Sequence, residues 1–449
     1  MLSTTPVAGA PGKLAVALAI GLAGVLLGVV AEAQSLPQTQ RLRLDNGLTL
    51  LFRQNPAAQT VAIAAFVRVP ASCETAQTAG LRSLVQSMLL HRPPGARATG
   101  PVEQLARYGA AIATSVEADC AKVMVAGLAE YFEECLPPLR AILFGPEFDW
   151  EQLAAERTAK LHLLNATEES GVAYASYLAY ARLFAGTPCA WSVAGTRQSL
   201  RHLREADLRR LYERYWRPNN VVLTICGPMQ FEQCRRQVES VFGNLLPGVE
   251  VRQDEVRVGD REPIYVHRPW PTDNAVVLMM CQAPRPGEQQ YPAAQVLAAV
   301  LGGGQGSLLW QALREDQALV YGVEADLTTS NTCSALQIAA SCDAVRAGEV
   351  YGIIRDQISA LQAAPPTQEQ VDRAVSYLTG NYLFSQQSNL YAADLMGVYE
   401  IIAAGHGPEL QASIMEQIRG VSPLQVRQAA VSYTQPAIWV QVGGAPPGY

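Results

Sequence analysis

The chain has 449 residues, 49% of them hydrophobic and 16% charged, with a formal net charge of −6. That length exceeds one ordinary hydrophobic core and predicts two to three domains. The acidic balance excludes a basic field for nucleic acid, and the apolar content without low-complexity runs excludes a disordered chain.

At the N-terminus Lys13 precedes an apolar run over residues 14–30, and Ala31-Glu32-Ala33 reads as a small-x-small cleavage site before Gln34. An export signal is expected over residues 1–33. The mature protein is then expected in a periplasm or lumen, or held at the membrane if the signal stays uncleaved. No second segment approaches the length of a bilayer span.

Residues 61–69 form an apolar run with strand character. Residues 78–90 follow with helical spacing: Leu81, Leu84, Val85, Met88 and Leu89 make one apolar stripe. Ser83, Gln86 and Ser87 fall outside it. Their i, i+3, i+4 spacing is that of His-x-x-Glu-His, an inverted zinc-protease motif, with every donor replaced. Zinc takes His nitrogen, carboxylate oxygen or thiolate; hydroxyls and a neutral amide are poor substitutes, and Gln86 cannot act as a general base. Ser83 and Ser87 lack the adjacent His or Lys that would make either a nucleophile.

A strand is predicted near residues 109–115, and helical patterns over 128–143, 150–164, 205–215, 368–384 and 423–433. Gly302-Gly-Gly-Gln-Gly306 precedes a helix with Ser307 as its N-cap, but lacks the Gly-Lys-Ser/Thr ending of a phosphate-binding loop. Nine cysteines show no Cys-x-x-Cys, so at most one or two disulfides of unassigned pairing are expected. The chain also repeats itself. Helix 205–215, a Pro and an apolar run to Gly227 are echoed by helix 423–433, a Pro and an apolar run to Gly443. Residues 61–69 are echoed by 274–281. A period near 210 residues implies a duplicated domain. The division expected is 34–248, a polar linker 249–262, and 263–449.

Taken in order, Asn46-Gly-Leu-Thr-Leu, Ala71-Ser-Cys-Glu74, the 78–90 helix, Arg107-Tyr-Gly-Ala-Ala, Pro218-Asn-Asn and Gly302–Glu315 resemble the pitrilysin/insulinase family of inverzincins, in its processing-peptidase-like branch. The resemblance spans about residues 40–445. It implies an α+β fold of two homologous domains, each a mixed, mostly antiparallel sheet backed by helices, closing like a clam around an extended peptide. It places the distal zinc-ligating Glu at Leu163, so Ser83, Gln86, Ser87 and Leu163 together imply no metal in this chain. It further implies that Arg314 and Tyr321, at the family's Arg-x6-Tyr spacing, grip substrate at the scissile bond. Ala111, Ile112, Ala113 and Thr114 match the family's peptide-pairing edge strand, with Ile112 in place of the usual Asn. The expected role is a noncatalytic subunit, inactive alone. It would lend Arg314 and Tyr321 to a homologous partner whose His-x-x-Glu-His carries zinc and cleaves extended peptides; a second copy of this chain is the other partner considered. The alternative is an inactive scaffold like the family's respiratory-complex core subunits.

Overall fold

The computed structural model describes residues 38–91, 99–146, 148–251 and 262–446. The expected signal and most of the expected linker lie outside the described residues. Apolar runs of the first half become a six-stranded sheet in the order β1-β2-β6-β3-β5-β4. These strands are β1 (Gln40–Arg43), β2 (Thr49–Gln54), β3 (Thr60–Arg68), β4 (Ala111–Val116), β5 (Cys120–Leu128) and β6 (Val221–Gly227). Only β2 and β6 run parallel. The second half repeats the plan with five strands ordered β7-β11-β8-β10-β9. They are β7 (Ile264–Arg268), β8 (Asn274–Gln282), β9 (Val320–Leu327), β10 (Ala335–Asp343) and β11 (Ile438–Val442), and only β7 and β11 are parallel. The echoed segments fall on equivalent places: β3 matches β8 and β6 matches β11.

The helices that bear on the site are α1 (Leu81–Met88), α2 (Leu153–Glu169), α3 (Gly171–Leu183), α4 (Glu205–Tyr215), α5 (Tyr291–Gly302), α6 (Gln368–Ser385), α7 (Asn389–Ile402) and α8 (Pro423–Tyr433). Strands β3 and β8 are buried at seven successive residues each, so both faces of each sheet must be covered. One face is covered from within the same half. The other is covered by exchange. Helix α3, from the first half, lays Ala175, Ala179 and Leu183 on Val276, Leu278 and Met280 of the second sheet. Helix α7, from the second half, lays Ala392, Ala393 and Met396 on Ala62, Ala64 and Phe66 of the first. Gly397 permits the approach: a Cβ there would lie 1.9 Å from the Phe66 ring. Thr224 on β6 fixes α7 by donating to the Ala393 carbonyl at 2.8 Å. A disulfide, Cys189–Cys333, joins the segment after α3 to the start of β10 across 144 residues, and the other seven cysteines are free.

Candidate functional site

Helix α1 packs against β4, β5, α2 and α4, with the predicted stripe, Leu81, Leu84, Val85, Met88 and Leu89, in the core of the first half. Its polar positions are also buried, with Ser83 8% and Gln86 2% exposed. Neither serine is poised for chemistry: Ser87 donates its hydroxyl to the Ser83 carbonyl at 3.1 Å. Gln86 donates Nε2 to the Lys122 carbonyl at 2.6 Å, and its Oε1 is buried without a partner. An amide fits this position because a carbonyl needs a donor, which an ionised carboxylate lacks. Leu163 lies on α2, half exposed, with no donor atom to offer. Among the described residues no group of three His, Cys, Asp or Glu is placed to hold a metal ion. Two hydroxyls, an amide and an aliphatic side chain are not a donor set for zinc.

Sequence reasoning missed what holds α1 in place. Arg82 sits beside the degenerate motif with a buried guanidinium. Its Nη1 donates to the carbonyls of Val69, Glu117 and Ala118 at 3.1, 2.7 and 3.3 Å, and its Nε to Glu74 at 3.2 Å. Glu74 accepts also from the Arg82 backbone N–H at 2.7 Å. Burial pushes the Glu74 carboxyl up from its ordinary range while Arg82 pulls it back. His91, just past α1, places Nε2 2.7 Å from Glu156 of α2. Nothing in the spacing pointed to the partners of Arg82 or to Glu156 as the partner of His91.

Arg314 and Tyr321 are brought together, at the start of β9. Arg314 closes a π-helical turn, Gln311–Glu315, and donates to the Val320 carbonyl at 2.6 Å. Such turns recur at functional sites. Tyr321 is 59% exposed and its hydroxyl donates to Asp343. That hydrogen bond and the Asp343 charge raise the phenol pKa, so it stays a protonated donor at neutral pH. The pair is not brought to α1. β9 packs on α5 and β10, and the π-helical turn packs on β9 and the helix Ala347–Ala363, a set of elements separate from the main neighbours of α1.

Ala111, Ile112, Ala113 and Thr114 lie on β4, an edge strand paired only with β5 among the described strands. Ala111, Ala113 and Ser115 are exposed, and β4 carries no charge at all. The other half's edge, β9, is guarded by exposed Glu324 and Asp326. Charges are a common device against edge pairing, and β4 lacks it. The glycine-rich loop is a packed turn: a Cβ on Gly302 would sit 2.3 Å from the Ala325 nitrogen, and the Gly306 carbonyl accepts from Arg373 at 3.0 Å.

Two α+β halves of like topology, with no metal donor set on the helix where the zinc motif is expected, make up this fold. Residues 202–378 match the family model described as the peptidase M16 inactive domain. A Bacillus subtilis protein named uncharacterized zinc protease YmxG is 22% identical over 85% of this chain and 94% of its own. A Helicobacter pylori protein named non-peptidase homolog YmxG is 21% identical over 92% of this chain and 94% of its own. A Caenorhabditis elegans mitochondrial cytochrome b-c1 complex subunit 1 is 26% identical over 43% of this chain and 41% of its own. The crystal structure of a peptidase M16 inactive domain from Pseudomonas fluorescens superposes with a TM-score of 0.82 at 18% identity, covering 92% of this chain and 99% of that one. That likeness establishes the fold. Over residues 202–378 the chain matches the M16 inactive-domain model, and its fold is that of M16-like peptidases.

Proposed function

We propose that this chain is the noncatalytic subunit of a two-chain zinc peptidase. It would supply Arg314, Tyr321 and the β4 edge to a homologous partner bearing an intact His-x-x-Glu-His. The observation that carries the reading is the division within one chain. The Arg–Tyr pair is intact and exposed, yet it stands on a different sheet from α1, whose donors are gone. An oxyanion clamp with no metal in its own chain has a use only if another chain brings one. A guanidinium and a phenol hydroxyl suit a carbonyl oxygen that gains charge under water attack. The uncharged β4 edge supports pairing with an extended peptide through backbone groups alone. The zinc is placed in the partner, and the location is a periplasm or lumen, where the Cys189–Cys333 bridge would persist.

The test reconstitutes the chain with a zinc-bearing homologue and follows cleavage of a quenched peptide. Tyr321→Phe is expected to slow turnover about 10²–10³-fold with unchanged partner zinc, and Arg314→Ala to weaken both binding and rate. Undiminished turnover in the Arg314→Ala, Tyr321→Phe double variant would reduce both residues to surface packing. The likeness to a non-peptidase homologue and to a respiratory-complex subunit favours a second reading, an inactive scaffold. Co-purification from the native host separates the two: a zinc-motif chain supports the first, a membrane complex or a second copy of this chain the second.

A further inference from the structure

The helix exchange leaves a space at its centre. Helix α7 is apolar on two faces. One covers the first sheet; the other, Tyr391, Leu395, Val398 and Ile402, follows i, i+4, i+7, i+11 and lines a cavity of about 550 Å³. Helix α3 does the same from the other side: Ala175, Ala179 and Leu183 cover the second sheet while Tyr177 and Tyr180 line the cavity. Trp191 and the Cys189–Cys333 bridge add further wall. Beside these packed contacts α7 meets space of the size that small-molecule sites occupy, roughly 300–1,000 Å³.

The polar lining decides what fits. Most of it is already committed. Asp119 accepts from the Ser330 hydroxyl and the Asn331 N–H at 2.9 Å each, and from Thr332. The Tyr180 hydroxyl pairs with Thr328 at 2.9 Å, and Arg82 is held by Glu74 and three carbonyls. Lys122 is almost buried, 3.0 Å from Asp394 and 3.5 Å from Glu117. Glu117, with 54% of its side chain exposed, meets Lys122 at that long distance among the described residues and keeps acceptor capacity. The charged lining is two carboxylates, Glu117 and Asp119, and two cations, Arg82 and Lys122. Both cations are held from behind by Glu74 and Asp394, and Asp119 is met by three donors, which leaves Glu117 as the lining charge open to a ligand. A carboxylate beside aromatic faces suits a cation and disfavours an anion.

We infer that this cavity is a binding site for a small hydrophobic amine, its hydrocarbon body against α7 and α3 and its ammonium on Glu117. The site is independent of the peptide reading and sits at the far end of β9 from Arg314 and Tyr321. Calorimetric titration of the full chain with 4-phenylbutylamine, 4-phenylbutanol and 4-phenylbutanoate tests it. The amine is expected to bind about tenfold tighter than the alcohol, as a charge-assisted hydrogen bond implies, and the carboxylate weakest. Glu117→Gln should erase the gap between amine and alcohol. Val398→Trp should fill the cavity and abolish binding; Thr167→Trp, from another wall, does the same should the first variant fail to fold. Carboxylate binding equal to that of the amine, or amine binding undiminished in a folded blocking variant, overturns the assignment. Neither outcome bears on turnover by the reconstituted pair.

Discussion

Gln86→Glu restores the general-base residue of a zinc peptidase with one atom's change, and the structure predicts that it damages the fold. Gln86 is 2% exposed and donates to the Lys122 carbonyl at 2.6 Å. An ionised carboxylate there would face a carbonyl, acceptor to acceptor. Both nearby cations are already paired, Arg82 with Glu74 and Lys122 with Asp394. The new carboxyl should therefore stay protonated in the folded state and donate its O–H to the same carbonyl. Its folded pKa is raised above the unfolded value of about 4.3. Below that value both states carry the proton, and the variant should match the parent. As pH rises the unfolded state ionises alone, and stability is lost up to the folded pKa. If that pKa lies at or above 7, the loss at pH 7 is about 3–4 kcal/mol, at 1.36 kcal/mol per pH unit. Urea unfolding of parent and variant at pH 4 and pH 7, compared as differences, measures it. A variant as stable as the parent at pH 7, or a deficit independent of pH, would refute the reasoning.

Arg82→Ala strips four guanidinium hydrogen bonds and leaves Glu74 buried without its cation, a loss of about 3–5 kcal/mol by chemical denaturation. Adding Glu74→Gln should recover part of it, so a strictly additive double variant would count against the pairing. Gly397→Ala forces a methyl into the buried Phe66 ring and should cost about 1–3 kcal/mol, whereas alanine at Gly352, which has open space, should be neutral or slightly stabilising. Replacing Cys189 and Cys333 with alanine frees a 144-residue loop in the unfolded chain and should cost up to about 5 kcal/mol; an unchanged unfolding midpoint would mean the bridge constrains nothing.

The fold was legible where burial follows period. Helices Glu205–Tyr215 and Pro423–Tyr433 occupy the predicted residues, since each is bounded by a strong signal: a first-turn acid or Pro at the start, and the strand turn after Tyr. The 61–69 and 274–281 runs became the central strands of equivalent sheets because both are too continuously apolar to sit at an edge. The exchange of α3 and α7 was not legible. Hydrophobic spacing says which face of a helix is buried but not which sheet buries it, and Ala175 and Ala393 read alike as small core residues. Arg82 was hidden by the stripe around it: spacing marked Leu81 and Leu84 as core, and nothing local said that three carbonyls of the β3 and β5 ends would converge on the residue between them. For Arg314 and Tyr321 the sequence supplied the spacing, and only the fold supplied their distance from α1.

That distance bears on what the loss of zinc means. In a metal site the ion ties one helix to another through its ligands, and removing them would leave α1 held by its apolar stripe alone. Here α1 is tied by other chemistry. Arg82 binds α1 to the end of β3 and the β4–β5 turn, Gln86 binds it to the start of β5 at Lys122, and His91 binds its C-terminal end to α2 through Glu156. Each donor meets a backbone carbonyl or a carboxylate that the fold already supplies, so the helix keeps its place while its face carries no catalytic group. The same contacts hold α1 against the edge strand β4. Ser83 is buried and Ser87 is turned back onto the helix backbone. Placing His, Glu and His at positions 83, 86 and 87 would therefore first have to displace the Gln86 and Ser87 hydrogen bonds.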